Sequence, residues 1–131
     1  MSNKVAIIAS NGSLFDAYKV FNIATASAAT DAEVGIFFTF EGLNLIHKEG
    51  NQHLPLPEGK EHFQEGFKAA QVPSIDELIV MAKDLGVKFI ACQMTMDVMN
   101  VKKEDLIYGI DVGGAVTFLD FAKDANVNLT F

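Results

Sequence analysis

The sequence predicts an α/β fold: a three-layer α/β/α sandwich on a mainly parallel, five-stranded sheet. Three observations point there. Short, nearly continuous apolar runs read as strands covered on both faces. They alternate with segments of helical spacing, and a strand, helix and strand in that order make a right-handed βαβ unit. Turn and capping residues stand at the junctions.

Lys4–Ala9 is the first such run, and Ser10-Asn11-Gly12-Ser13 after it supplies turn and cap chemistry for a helix over Leu14–Ala29. Glu33–Thr39, rich in β-branched and aromatic residues, is the second strand. Ser74-Ile75-Asp76-Glu77 has the spacing of a capping box, and Gly86 stands where a helix closes in the left-handed conformation. Val87–Ala91 is then the third strand, with Cys92 at its carboxyl end. Tyr108–Val112 is expected as the fourth, followed by Gly113-Gly114 and a helix to about Ala125. Asn126–Phe131 alternates apolar and polar residues and closes the chain as the fifth strand. Lys48–Pro73 holds all three prolines and fits no element well, so a flexible or interaction loop is expected there, with a short helix over Glu61–Ala70 bearing Phe63 and Phe67.

A length of 131 residues, half of them hydrophobic, suits one domain over the whole chain. A single cysteine forms no disulfide framework, so a reducing, cytoplasmic home is expected. No apolar stretch is long enough for a membrane span, and the residues after Met1 lack a secretory cleavage site. The ten basic residues are all lysine and face seventeen acidic ones, for a net charge of −7. That balance excludes ordinary nucleic-acid binding, which depends on neutralising phosphates. Without arginine, any anion must be held by backbone N–H groups or lysine.

Ligands of open parallel sheets bind beyond the carboxyl ends of the strands. Ser10, Asn11, Gly12 and Ser13, then Cys92, Gln93, Met94 and Asp97, and finally Asp111, Gly113 and Gly114 all belong to that end. A thiol there meets N–H dipoles that favour its reactive thiolate, although cysteine is also a common buried hydrophobe. The first of these segments has the look of a loose phosphate loop. His47 is the best-placed partner for a cysteine–histidine pair. Met94, Met96 and Met99 beside Cys92 suggest a soft copper site, but gap-filling is the commoner use of methionine, and the scattered histidines lack ligand spacing. No metal or cofactor is expected.

The run Cys92-Gln93-Met94-Thr95-Met96-Asp97-Val98-Met99, then Glu104-Asp105-Leu106-Ile107, then Gly113-Gly114-Ala115-Val116-Thr117-Phe118-Leu119 resembles the DsrE/DsrF-like family, and within it a branch labelled peroxiredoxin-like. The resemblance implies a parallel-sheet sandwich that assembles into homo-oligomers. It also implies sulfur trafficking, with Cys92 carrying sulfane sulfur as a persulfide or thiosulfonate. With no second cysteine in the chain, donor and acceptor thiols belong to other molecules, such as a rhodanese or a small sulfur-carrier protein. The residues around Cys92 do not supply peroxide-activating chemistry. Two other readings stay open: an assembly module in which Cys92 is structural, and a nucleotide or flavin binder at the strand ends.

Overall fold

A computed structural model describes residues 3–131; Met1 and Ser2, the lead-in to the first strand, lie outside the described residues. Five parallel strands form one sheet: β1 (Lys4–Ala9), β2 (Glu33–Phe38), β3 (Lys88–Cys92), β4 (Asp111–Gly113) and β5 (Val127–Thr130). Their spatial order is β4-β3-β2-β1-β5. The helices are α1 (Leu14–Ala29), α2 (Phe63–Ala70), α3 (Ile75–Asp84), α4 (Gln93–Met99) and α5 (Ala115–Ala122).

The connections explain the layers. From β1 to β4 the chain steps one strand at a time toward the same edge, and right-handed crossovers therefore place the intervening helices on one face. The return from β4 to β5 crosses to the opposite edge, which puts α5 on the other face. The packing agrees. Ala17, Val20, Phe21 and Ala24 of α1, Leu78 and Ala82 of α3 and Met96 of α4 share one cluster with Ile7, Ile36, Phe38 and Phe89. Phe118, Phe121 and Ala122 of α5 form a second, smaller cluster with Ala6, Phe37, Ile90 and Cys92.

Small residues on the buried stripe of α1 let it lie close to the sheet. Phe21 then stacks on Phe89 with ring centroids 5.9 Å apart. Burying a phenylalanine of this kind contributes about 1.5–3 kcal/mol. Ser13 caps α1 reciprocally: its hydroxyl accepts from Asp16 N–H at 3.2 Å, and Asp16 Oδ2 takes Ser13 N–H at 3.1 Å. This full capping box passes unnoticed in the sequence because aspartate stands where glutamate is usual.

The box read at Ser74 is only half formed. Ser74 Oγ accepts Glu77 N–H at 3.1 Å, but the Glu77 carboxylate turns to the Ser74 hydroxyl instead of the backbone. Gly86 does close α3, with φ +84°.

Several boundaries differ from the sequence reading: β2 ends at Phe38, β3 opens at Lys88 and β5 spans Val127–Thr130, each a one-residue trim, and other changes are larger or touch the cysteine. β4 begins at Asp111 because Tyr108-Gly109 makes a turn, Gly109 taking φ +83°. β3 runs one residue further and ends on Cys92 itself. α5 stops at Ala122, short of the expected Ala125. An unforeseen 3-10 helix, Phe40–Ile46, follows β2 and buries Leu43, Leu45 and Ile46. Within Lys48–Pro73 the expected short helix is α2, which packs through aromatic contacts: Phe63 against Phe15 at 5.3 Å and Phe67 stacked on Tyr18 at 4.8 Å. No helix among the described residues is long and apolar enough to cross a membrane.

Candidate functional site

The strand order creates one switch point. α4 leaves β3 toward one face and α5 leaves β4 toward the other, so the carboxyl ends of these two neighbours mark the place where open α/β sheets receive ligands. Cys92 is the last residue of β3, and in register it pairs with Gly113, the last of β4. The only cysteine therefore stands at the switch point.

Alternation along β3 sends the Cys92 side chain to the α5 face with Ile90, where Phe37 and Phe118 also pack. The residue is only 4% exposed. Cys92 is also the N-cap residue of α4, in extended conformation, though its side chain makes no capping hydrogen bond. The groups around it act instead on the charged form. Burial pushes the thiol pKa up, but the polar groups of Thr95, Thr39 and Met94 around it outweigh that effect and leave it below its ordinary value.

Thr39 and Thr95 form a linked pair. Their hydroxyl oxygens lie 3.2 Å apart, and Thr95 Oγ1 also accepts the N–H of Phe40 at 3.0 Å. Thr95 is wholly buried. Phe40 holds φ at +50°, a left-handed conformation that costs a bulky residue on the order of 1–3 kcal/mol. The Thr95 hydroxyl is thus fixed by the strained Phe40 backbone and the Thr39 hydroxyl.

Neither threonine stands out in the sequence. Two signals were present: Thr39 directly follows the strand that pairs with β3, and Cys92-x-x-Thr95 has the spacing of a cap residue and the third helical residue.

Among the sequence-predicted residues, the structure brings Gly113 beside Cys92, and Met94 contributes its N–H. Gly114 is the N-cap of α5. Gln93 and Asp97 pair with each other, Nε2 to Oδ1 at 3.0 Å, on the exposed side of α4. The Ser10–Ser13 segment follows β1, two strands from β3, on the order of 10 Å away. Ser10 is turned to the chain terminus, its N–H and hydroxyl both donating to the Phe131 carbonyl, at 2.7 and 2.9 Å. Asn11, Gly12 and Ser13 line a separate cleft.

The cysteine–histidine pair does not form. His47 Nδ1 accepts the N–H groups of Glu49 and Gly50 at 3.2 and 3.1 Å, and its ring lines that same cleft. The three methionines also diverge: Met96 is in the core, Met94 is exposed, and Met99 lies on the cleft. They do not gather as a copper site.

Comparison with known proteins agrees with this architecture. The model of the DsrE/DsrF/DrsH-like family matches residues 1–67 and 56–130. The chain is 35% identical to the sulfur carrier protein DsrE2 of Allochromatium vinosum, over 96% of each chain. It is 29% identical to the uncharacterized protein YrkE of Bacillus subtilis, over 98% of this chain and 96% of that one. The fold is shared with the crystal structure of ychN protein from E. coli (TM-score 0.65, 18% identity, 100% of both chains). It is shared equally with MTH1491 of Methanobacterium thermoautotrophicum (TM-score 0.64, 12% identity, 99% of this chain and 100% of that one). From its sequence over nearly its full length, and from the fold on which its cysteine is set, the chain belongs to the DsrE/DsrF/DrsH-like family.

Proposed function

We propose that this protein carries sulfane sulfur on Cys92. The observation that carries the reading is the place of the chain's single thiol: Cys92 ends β3 beside Gly113 of β4 and opens α4, at the switch point of the sheet. The neighbouring Thr95, Thr39 and Met94, which lower its pKa, favour the same reading. The name of the Allochromatium relative, a sulfur carrier protein, supports the same chemistry.

In loading from a persulfide, Cys92 thiolate attacks the outer sulfur of R–S–SH. A sulfur–sulfur bond forms on Cys92, the bond in the donor breaks, and RS⁻ leaves with its electron pair, with no external oxidant. Loading from tetrathionate follows the same course, expels thiosulfate and leaves a thiosulfonate on the cysteine. Unloading reverses the roles: the thiolate of an acceptor attacks the outer sulfur, and Cys92 thiolate departs. The donors that favour the thiolate make it a good leaving group. With no second cysteine in the chain, no internal thiol discharges the adduct, which suits a carrier that hands sulfur to thiol-bearing partner proteins.

After incubation with tetrathionate or polysulfide, intact-mass spectrometry is expected to show an added thiosulfonate of about 112 Da or sulfur of about 32 Da, absent in Cys92→Ser. An acceptor thiol should remove it. A wild-type protein unmodified by every donor would sink the reading.

Self-association belongs to the same proposal. α4 and α5 start side by side where Cys92 and Gly113 pair, yet Met94, Val98, Val116 and Leu119 on these helices are exposed, Val116 at 82% and Val98 at 73%. Apolar side chains left in water around a buried thiol support an assembly of copies that covers them. Val98→Asp with Val116→Asp is expected to lower the sedimentation mass to that of one chain while the far-ultraviolet spectrum stays unchanged. A wild type that already sediments as one chain would remove this part of the proposal.

A further inference from the structure

The cleft that takes in Asn11, Gly12 and Ser13 lies over the carboxyl ends of β1 and β2 on the α1 face, whereas the Cys92 sulfur points to the α5 face. Its volume is about 480 Å³, within the usual range of small-molecule sites. The walls are mainly apolar: Phe40, Leu43, Leu56, Pro57, Met99 and Val101. Asp16 and Glu41 also line the cleft, and no lysine does.

These features select the charge of a ligand. The start of α1, which would otherwise attract an anion, is already occupied by its own Asp16 carboxylate through the N–H and hydroxyl of Ser13. A nucleotide or flavin phosphate, suggested by the look of the Ser10–Ser13 segment, would meet two negative charges and no positive one. The ring of Phe40, half exposed on the cleft wall, offers a π face of the kind that attracts cations. His47 has its Nδ1 committed to two backbone N–H groups, which leaves Nε2–H as the ring's donor.

We propose that this cleft binds a small organic cation, an ammonium group on an apolar or aromatic body. The ammonium lies toward Glu41 and the Phe40 ring, and the body fills the space between Leu43, Leu56 and Met99. Cys92 does not line the cleft, and the test makes no use of that residue.

The probe is phenethylammonium, with 2-phenylethanol and 3-phenylpropionate as neutral and anionic counterparts of similar shape. In an amide-resolved NMR titration of the whole chain, the ammonium is expected to shift Gly12, Glu41, Asn44 and His47 saturably, the alcohol more weakly and the carboxylate not at all. Glu41→Gln, a change at an exposed position, should weaken the ammonium about fivefold. Leu56→Lys, which adds a positive charge in the cleft, should abolish its binding. Saturable shifts of equal strength from all three probes, an affinity unaltered by Glu41→Gln, or no shift at millimolar ammonium would each overturn the proposal.

Discussion

Thr95→Val is expected to slow the alkylation of Cys92 at neutral pH and to move the midpoint of its pH–rate profile upward. The thiolate is the reacting species, and valine removes the hydroxyl that favours it while filling the same volume. The sign follows from linkage. A thiol whose folded pKa lies below its unfolded value contributes stability that is fully present above the unfolded value and fades as pH falls through the folded one. Thr95→Val shrinks that contribution, so the variant should lose most relative to wild type in alkaline solution.

A second loss is independent of pH. The Phe40 N–H, which donates to Thr95 Oγ1, is left without its acceptor and costs about 1–3 kcal/mol. Thr95→Ser keeps the oxygen and is expected to restore the midpoint. An unchanged midpoint in Thr95→Val, measured with iodoacetamide on folded protein, would show that the hydroxyl does not act on the sulfur.

Gly42→Ala is expected to be among the most destabilising single-methyl additions in the chain. Gly42 lies in the 3-10 helix after β2, its N–H donates to the Thr39 carbonyl at 3.0 Å, and a Cβ there would overlap the carbonyl of Ala9. The obstacle is backbone at the end of a buried strand, so neither side yields cheaply, and a loss on the order of 3 kcal/mol is expected. Because the same turn carries Thr39 and Phe40 to Cys92, relief by movement of the 3-10 helix should also raise the alkylation midpoint. Gly66→Ala is the control. That glycine is inside α2 with nothing near its missing Cβ, and alanine there should stabilise by up to about 1 kcal/mol. Urea denaturation of the two variants separates the cases; similar midpoints would mean that the contact between Gly42 and Ala9 is loose.

The periodic elements were legible because their determinants are local. β1 and α1 fall on the residues that the apolar run and the capping signal indicate, and α2 lies within the expected short helix. Short elements were less so. A three-residue strand such as β4 carries little pattern of its own, and its start is set by the turn at Gly109. The 3-10 helix Phe40–Ile46 has neither helical nor strand spacing, and it forms because Leu43, Leu45 and Ile46 find the core.

By itself the sequence determined the class of fold, the family resemblance and the place of the single thiol, since one cysteine at the end of an apolar strand is readable from composition and period alone. The tertiary structure decided the rest. Strand order is a long-range choice that hydrophobic period does not encode, and it alone places β4 beside β3 and makes Cys92 a switch-point residue. It also brings Thr39, just after β2, and Thr95 of α4, 56 residues apart, to each other beside Cys92, and leaves Ser10–Ser13 to a different cleft. Side-chain chemistry can be read along the chain; which side chains share a site depends on how the strands are ordered and which face each crossover takes.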